Sequence, residues 1–279
     1  MLNVSIVLYN HTKEEIAPLV ETLAASKNVN TIFIIDNSPK ELSDADKLPA
    51  KYIYNGKNLG YGKAHNVAIR KTIENRIPYH LVINPDITFK TGILEKIEDF
   101  MDCNPEIGHL MPKILYPSGD IQHLCKLLPT PFDLIFRRFL PAKWTEKRTK
   151  RFELHEYGYN QIMDVPYLSG CFMFLRTAAL LNTGLFDERF FMYPEDIDLT
   201  RRIHAQYRTV YYPHAEVTHV HTRSSYKNMK MLYIHISNMI KYFNKWGWVF
   251  DKERKQINKE TIQRLNDKVK TSSTQSVQN

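Results

Sequence analysis

The feature of this sequence that most constrains its fold is the regular alternation of short apolar runs with segments of helical spacing in its first half. The runs are rich in β-branched residues, which is typical of buried strands. They lie at residues 4–9, 31–36, 52–54 and 80–84, with helical patterns at 13–25, 63–74 and 91–101. Strands that alternate with helices form a mostly parallel sheet flanked by helices, so we predict an α/β fold.

Polar residues and glycines stand directly after several of these runs. Asp36 ends the second run, and a loop at 56–62 with several glycines follows the third. Asn84 and Asp86 follow the fourth run, on either side of a proline. Ligands of such sheets bind beyond the carboxyl ends of the strands. We therefore expect these residues to converge on one face of the molecule.

The composition is that of an ordinary globular protein. Of the 279 residues, 43% are hydrophobic and 24% are charged, which excludes global disorder. The apolar runs are far shorter than the roughly 20 residues that cross a bilayer, and the first residues lack the pattern of a secretory signal. We expect a cytoplasmic protein.

The cysteines, at 103, 125 and 171, are widely spaced and odd in number. This pattern predicts buried thiols and neither a disulfide framework nor a cysteine zinc site.

The net charge of +8 favours polyanionic partners. Nucleic acid, nucleotide diphosphates and an anionic membrane surface all fit this charge, and charge alone does not choose among them. A basic and aromatic segment at 131–151 and a basic helix near 241–255 favour contact with anionic lipid headgroups. A solvated charged face packed on the domain is the alternative for the first of these segments.

A group of acids at Glu195, Asp196 and Asp198 follows several aromatic residues and Pro194. Acids favour the first turn of a helix for reasons of the helix dipole alone. Aromatic neighbours also exclude water, however, which raises the proton affinity of a carboxylate and suits it to general-base catalysis. Both interpretations remain open from the residues themselves.

A single carboxylate at the mouth of the sheet, Asp86, suits a divalent cation that takes its other ligands from phosphate and water. Capping of the following turn is the alternative for this residue. His219 and His221 are two residues apart on a predicted strand, so they point to opposite faces and cannot both bind one metal.

Together these segments resemble family 2 of the inverting glycosyltransferases, which have the GT-A fold, and especially its bacterial rhamnosyltransferase-like branch. The resemblance covers about residues 2–225. It rests on Val4-Ser-Ile-Val-x-Tyr-Asn10, Ile35-Asp-Asn-Ser38, Asn58-x-Gly-x-Gly-x-Ala-x-Asn66, Asn84-Pro-Asp86, Gly170 and Phe186-Asp-Glu-x-Phe-Phe-Met-Tyr-x-Glu-Asp-x-Asp198.

The resemblance implies a role for each matched residue. Asp196 is similar to the catalytic base, with Glu195 beside it as the second catalytic residue. Asp86 resembles the second acid of a metal-binding motif in which Asn84 replaces the first acid, and His219 resembles a further metal or diphosphate ligand. Asp36 would recognise a pyrimidine base. The nucleotide-binding residues implied are Tyr9, Asn10, Asp36, Asn58, Gly60, Gly62, Asn66 and Asn84.

The resemblance also implies the reaction and its participants. We expect transfer of L-rhamnose from dTDP-rhamnose to a saccharide acceptor linked to a lipid, in surface polysaccharide synthesis. A UDP-hexose is the alternative donor, and Mg²⁺ or Mn²⁺ is the expected cofactor. A peripheral position on the cytoplasmic face of the inner membrane would suit such an acceptor. The alternatives of another class are a basic nucleic-acid-binding protein and a non-catalytic nucleotide-binding protein.

The predicted organisation follows the same resemblance. Residues 1–225 form the GT-A domain, with a nucleotide-sugar-binding half at 1–115 and an acceptor and catalytic half at 116–225. A helical extension follows at 226–270, and we expect the polar tail at 271–279 to be disordered.

Overall fold

A computed structural model of the chain describes residues 1–220 and 229–276, so His221 lies outside the described residues. The strands are β1 Leu2–Leu8, β2 Val29–Asp36, β3 Lys51–Tyr54, β4 Tyr79–Ile83, β5 Ile87–Thr88, β6 Ile107–Leu115, β7 Cys125–Lys126, β8 Met163–Asp164, β9 Tyr167–Leu168, β10 Phe172–Arg176 and β11 Arg208–His219. The α-helices are α1 Lys13–Ala24, α2 Tyr61–Glu74, α3 Ile93–Asp102, α4 Pro131–Leu134, α5 Ala142–Phe152, α6 Thr177–Thr183, α7 Glu195–His204, α8 Met229–Trp246 and α9 Lys252–Ser276, and short 3₁₀ turns occupy Ala45–Lys47, Phe136–Phe139 and His155–Tyr157.

The main sheet has the strand order β3-β2-β1-β4-β10-β6-β11-β5, and β8 pairs with β11. The first four strands in this order are parallel, as predicted. The second half is mixed, because β10 runs antiparallel between β4 and β6. Phe172, at the start of β10, therefore pairs with Ile83, at the end of β4. This pairing brings the segment that precedes β10 to the edge where the parallel strands end.

Alternate residues of the parallel strands pack on opposite faces of the sheet. Ile32 and Ile34 of β2 belong to the core cluster that contains the apolar side of α1. Phe33 and Ile35, the intervening residues, pack with alanines of α2. Both faces of the strand are therefore covered by helices, which explains why its sequence is apolar without alternation.

The apolar runs at 209–212 and 217–220 predict two short strands, but the structure has one strand, β11, in this region. β11 runs along β6 with a break in register between Tyr212 and Glu216, and the chain continues on the same path after it. The polar residues at the bulge account for the apparent gap in the sequence pattern, because a bulge interrupts the alternation without ending the strand.

The C-terminal helices share the core of the preceding domain. Met239, Tyr242 and Phe243 of α8 and Leu265 of α9 are buried in the same cluster as the central strands. The predicted boundary at 226 thus separates segments that pack together.

The prediction of disorder from residue 271 was wrong for residues 271–276. Helix α9 continues to Ser276, and residues 277–279 lie outside the described residues. The sequence from 252 to 276 contains neither glycine nor proline to end the helix. Among the described helices, none is both long and apolar enough to span a bilayer.

Candidate active site

Asp196 lies in the first turn of α7 and is held against the segment that leads into β10. Its Oδ2 accepts a hydrogen bond of 2.9 Å from the backbone N–H of Gly170, and its Oδ1 accepts one of 2.7 Å from the N–H of Ile197. A side chain at position 170 would crowd Asp196, because an added Cβ would lie 3.0 Å from the Cβ of Asp196. The glycine thus permits the close approach that orients this carboxylate.

Burial gives the two adjacent acids an unusual proton affinity. The Asp196 side chain is almost enclosed, and burial raises its pKa to about 6, although the hydrogen bonds from backbone N–H groups favour the ionised form. Burial and the neighbouring charge of Asp196 raise the pKa of Glu195 well above its ordinary value. Glu195 Oε2 is buried and makes no hydrogen bond within the described residues. At neutral pH, therefore, Asp196 is ionised and able to accept a proton, whereas Glu195 binds its proton more tightly than a free glutamate does.

Asp86 and His219 lie side by side where β5 pairs with the end of β11. His219 Nε2 is 3.3 Å from Asp86 Oδ1, and His219 Nδ1 is 3.1 Å from Gln122 Oε1. Burial opposes the charge on the imidazole, but the hydrogen bonds with Asp86 and Cys171 outweigh it and raise the pKa of His219 to about 10. Asp86 and His219, the two predicted metal ligands, are thus neighbours, although they are 133 residues apart in the sequence.

The chemistry of this pair fits a hard divalent cation. The Asp86 side chain is 34% exposed, so its carboxylate is accessible from solvent. In residues 1–220 and 229–276 no group of three or more His, Cys, Asp or Glu side chains is placed to hold a metal. A cation at Asp86 would therefore take most of its ligands from phosphate and water, as Mg²⁺ commonly does.

Asn84 connects α2 to His219, the neighbour of Asp86. Its Oδ1 accepts a hydrogen bond of 3.0 Å from the Tyr61 hydroxyl, and its Nδ2 is 3.5 Å from His219 Nε2. The same hydroxyl is 2.7 Å from the carbonyl oxygen of Gly170. Tyr61 was not among the predicted site residues, because it occupies an unspecified position of the Asn58 to Asn66 motif.

Asp36 ends β2 as predicted, but its carboxylate is engaged within the protein. Its Oδ2 accepts a hydrogen bond of 2.6 Å from the Tyr52 hydroxyl, and its Oδ1 accepts one of 2.8 Å from the N–H of Ser38. Only 1% of Asp36 is exposed. Recognition of a base by Asp36 stays a prediction, and the structure shows that this residue shapes the turn after β2.

Tyr9 and Asn10 are accessible at the end of β1. Tyr9 is 49% exposed. Asn10 has a φ of +58°, and its N–H donates a hydrogen bond of 2.8 Å to the Ser38 hydroxyl. A cavity of about 460 Å³ opens beside Asn10 and Ser38, close to the N-terminus of α1. This part of the predicted nucleotide site is open to a ligand.

Two glycines of the 56–62 loop, Gly60 and Gly62, make close contacts with protein. Gly60 has a φ of +85°, and an added Cβ would collide with the carbonyl group of Phe191. An added Cβ at Gly62 would lie 2.8 Å from the Cβ of Phe186. Both glycines therefore join the loop to the 186–191 segment, and their close approach is not to a ligand.

The two asparagines that delimit the loop motif also act within the protein. Asn66 is 1% exposed, and its amide both donates to the carbonyl and accepts from the N–H of Phe186. We place Asn66 outside the nucleotide-contacting set, because both ends of its side chain are used. Asn58 is exposed, and its Oδ1 accepts a hydrogen bond of 2.9 Å from the N–H of Gly60, which supports the loop.

Helices α8 and α9 hold the helix that carries the paired acids. Arg201 of α7 forms two hydrogen bonds, of 2.7 and 2.9 Å, with the buried carboxylate of Asp251. Asp198 accepts a hydrogen bond of 2.8 Å from Trp246 Nε1 and pairs with Lys245 at 2.6 Å. The sequence offered no local signal for these contacts, since the partners are about fifty residues apart. The C-terminal extension thus positions the helix that carries Glu195 and Asp196.

Two family profiles match this chain. The profile described as glycosyl transferase family 2 matches residues 4–184, and a profile described as glycosyltransferase like family 2 matches residues 138–235. Among curated proteins, an N-acetylglucosaminyl-diphospho-decaprenol L-rhamnosyltransferase of Mycobacterium tuberculosis is 33% identical over 179 residues, which are 59% of this chain and 56% of the relative. The low-salt glycan biosynthesis hexosyltransferase Agl10 of Haloferax volcanii is 26% identical over 209 residues, which are 72% of this chain and 61% of that protein. The chain therefore spans just over half the length of these relatives.

Solved structures share the fold. GalNAc-T7, crystallised with UDP, GalNAc and Mn²⁺, aligns with a TM-score of 0.66 at 14% identity over 88% of this chain and 48% of its own. S. aureus TarS aligns with a TM-score of 0.58 at 17% identity over 94% of this chain and 43% of its own. At these identities the likeness concerns the fold alone, and it agrees with the GT-A architecture that the sequence motifs imply.

Proposed function

Because the chain belongs to glycosyl transferase family 2, we propose that it is an inverting glycosyltransferase that moves a sugar from a nucleotide diphosphate donor to a saccharide acceptor. The observation that carries the proposal is the placement of Asp196. A buried carboxylate whose pKa lies near neutrality stands at the same edge of the sheet as Asp86 and His219. Family membership favours this enzymatic function over the nucleic-acid-binding alternative.

Asp196 acts as the general base in this proposal. Inversion at the anomeric carbon needs one group that removes the proton of the acceptor hydroxyl as the new glycosidic bond forms. The hydrogen bonds from Gly170 and Ile197 fix the orientation of the carboxylate before the acceptor arrives. Glu195, whose pKa is raised by burial and by the charge of Asp196, is a neighbour that tunes Asp196.

Asp86 and His219 lie on the side of the leaving group. As the glycosidic bond to the donor breaks, negative charge grows on the departing diphosphate and must be stabilised. A divalent cation, Mg²⁺ or Mn²⁺, would supply this stabilisation when bound, held by Asp86. His219 would join as a ligand after losing its imidazole proton to solvent, and with that proton it would face the diphosphate as a cation. Tyr9 and Asn10, beside the cavity at the end of β1, would contact the nucleoside.

The finer assignment concerns the substrates. The favoured donor is dTDP-rhamnose, since the relative from M. tuberculosis is named as an L-rhamnosyltransferase. A UDP-hexose is the alternative donor. The acceptor is proposed to be a saccharide linked to a lipid through a diphosphate, as in the name of the same relative.

A donor screen tests the proposal directly. The purified protein is incubated with dTDP-rhamnose or UDP-hexoses, with Mg²⁺, Mn²⁺ or EDTA, and release of the nucleoside diphosphate is measured with and without a saccharide acceptor. We expect slow hydrolysis of one donor and faster release when an acceptor is present. A protein that binds these nucleotides but releases no sugar from any of them would instead be the non-catalytic relative.

The pH dependence of this activity follows from the raised pKa of Asp196. Below about pH 6 the carboxylate is increasingly protonated and cannot accept the hydroxyl proton, so the rate falls as the pH falls. We expect kcat/KM to rise roughly tenfold per pH unit below that value and to level off above it. A rate that stays constant from about pH 5 to about pH 7 would contradict the assignment of Asp196 as the base.

Association with an anionic membrane surface is a further part of the proposal. Around α5 the exposed apolar residues Phe139 and Trp144, with 60% and 77% of their surface exposed, accompany the exposed lysines Lys143 and Lys147. Tyr233 of α8, 74% exposed, adds to the exposed aromatic residues. Aromatic and basic side chains of this kind suit the headgroup region of a bilayer. The sequence also nominated Arg137 and Arg148, but these two form ion pairs with acids of the same region.

Vesicle co-sedimentation measures this association. We expect binding to vesicles that contain anionic lipid, with each basic residue near the surface contributing about 1 kcal/mol, and weaker binding at high salt. Replacement of Lys143, Trp144 and Lys147 by serine lowers the bound fraction, whereas replacement of the exposed Lys57, in the loop after β3, serves as the control. Equal recovery in the supernatant with neutral and anionic vesicles at low salt would refute membrane association.

A further inference from the structure

Lys126 stands next to the candidate active site on the small sheet that β7 forms with β9. In the antiparallel register Lys126 faces Tyr167, and its Nζ lies 5.4 Å from the centre of the Tyr167 ring. Three residues after Tyr167, Gly170 donates its N–H to Asp196. Lys126 thus pairs with the segment 167–170, whose last residue, Gly170, orients Asp196.

The ammonium group of Lys126 has no anionic partner in the part of the chain that the structure describes: its contact there is the aromatic face of Tyr167. The nearby acid Glu153 is engaged elsewhere, because its carboxylate pairs with Arg137 at 3.5 Å and with His155 at 3.1 Å. Lys126 is only partly exposed. A cation that is partly removed from water and makes no ion pair is stabilised when an anion binds to it.

Charge interactions place Lys126 close to the base. Burial lowers the pKa of Lys126, and the charges of Glu153 and Asp196 oppose this effect. In turn, Lys126 is one of the groups that favour the ionised form of Asp196. Each group therefore lies within the electrostatic reach of the other.

Residues 167–171 contact Lys126, Asp196 and Asn84 in that order. Tyr167 contacts Lys126, Gly170 contacts Asp196, and the carbonyl oxygen of Cys171 accepts the N–H of Asn84, two residues before Asp86. Along this segment the contact with Asp196 follows the contact with Lys126 and precedes the contact with Asn84. A segment of this length spans at most about 14 Å.

We propose that Lys126 binds a phosphate group of the acceptor, so that the enzyme selects saccharides carried on a diphosphate. The inference rests on the proposed function and deepens it. In an inverting transfer the acceptor hydroxyl attacks from the side opposite to the departing diphosphate, and the base lies beside that hydroxyl. An acceptor sugar at Asp196 has the donor diphosphate towards Asp86 and its own diphosphate towards Lys126. Lys126 could instead bind the diphosphate of the donor, which has the same chemistry. The experiment below distinguishes the acceptor diphosphate from the donor diphosphate.

The experiment compares two acceptors that carry the same N-acetylglucosamine residue and a lipid of the same length. One is joined to the lipid through a diphosphate, and the other through a neutral glycosidic bond. KM for each acceptor and for the donor is measured with wild type, K126M, K126R and the control K71M, which removes an exposed lysine from the last turn of α2. We expect K126M to raise KM for the diphosphate acceptor about 10- to 100-fold relative to KM for the neutral one, because a charge-assisted hydrogen bond is lost. K126R retains most of the discrimination, and K71M retains all of it.

Other results would overturn the inference. A rise in the donor KM with an unchanged ratio between the two acceptors would assign Lys126 to the donor diphosphate. An equal loss with both acceptors, together with a shift of the acid limb of the pH profile to higher pH, would make Lys126 a positioning residue for Asp196.

If the wild type neither transfers sugar to either acceptor nor hydrolyses any donor, the proposed function itself fails. Binding of inorganic pyrophosphate to protein saturated with a nucleoside diphosphate then tests Lys126 alone: K126M abolishes that binding if the site exists, and wild type shows none if it does not.

Discussion

Replacement of Asp196 by asparagine lowers kcat for sugar transfer by about 10²–10⁴-fold, the range that loss of a general base produces. The substitution removes the proton acceptor and changes the side-chain volume little. Nucleotide binding, measured by calorimetry, should remain within a few fold, since Asp196 is assigned to the acceptor side. An asparagine has one acceptor oxygen where the aspartate uses two, for Gly170 and Ile197, so the melting temperature is recorded in parallel.

Glu195→Gln is the matched comparison for this variant. Burial and the charge of Asp196 raise the pKa of Glu195 and disfavour its charged form, so an amide of the same shape should cost far less activity than Asp196→Asn. The acid limb of the pH profile should persist in Glu195→Gln, because Asp196 still titrates. If Asp196→Asn turns over like wild type while Glu195→Gln is inactive, the roles of the two acids are reversed.

Removal of the Asp86 carboxylate has the second largest expected effect. Asp86→Ala should lower kcat/KM about 10²–10³-fold, the loss typical when charge stabilisation at a leaving group is removed. It should also weaken the binding of a nucleoside diphosphate in the presence of Mg²⁺, because only one carboxylate on this side is available to a cation. EDTA added to the wild type should reproduce both losses, and Mg²⁺ or Mn²⁺ should restore them.

Asp46→Ala, which removes an exposed carboxylate from a 3₁₀ turn, is the control for this variant and should behave like wild type. In Asp86→Ala, His219 loses its neighbour at 3.3 Å, so His219→Gln tests whether the imidazole contributes independently. Full activity of the wild type in EDTA would show that side-chain cations stabilise the leaving group without a metal.

Much of the fold was predictable because its signals are local. An apolar run such as residues 31–36 reports burial on both faces, and Asp36 at its end marks the carboxyl edge of the strand. Parallel pairing of the first four strands follows from the helices that separate them. The antiparallel insertion of β10 was not predictable, since a strand carries no local signal of the neighbour with which it pairs.

Several predicted site residues have a different role for the same reason. Gly60 and Gly62 were recognised as positions of close approach, but the approaching groups are Phe191 and Phe186, more than a hundred residues away. Asn66 was recognised as a motif residue, and its amide is used by the backbone of Phe186. A motif records that a residue type is needed and does not record what it contacts.

The sequence by itself determined the order of strands and helices in the first half, the presence of Asp86 and Asp196 at the ends of such elements, and the family. Only the tertiary structure decided that Gly170 holds Asp196, that His219 lies beside Asp86, and that Lys126 lies over the Tyr167 ring within electrostatic reach of Asp196. The physical reason is the range of the interactions. Periodicity and turn chemistry act over a few residues, whereas a pKa and a hydrogen-bonded site depend on groups that only folding brings together.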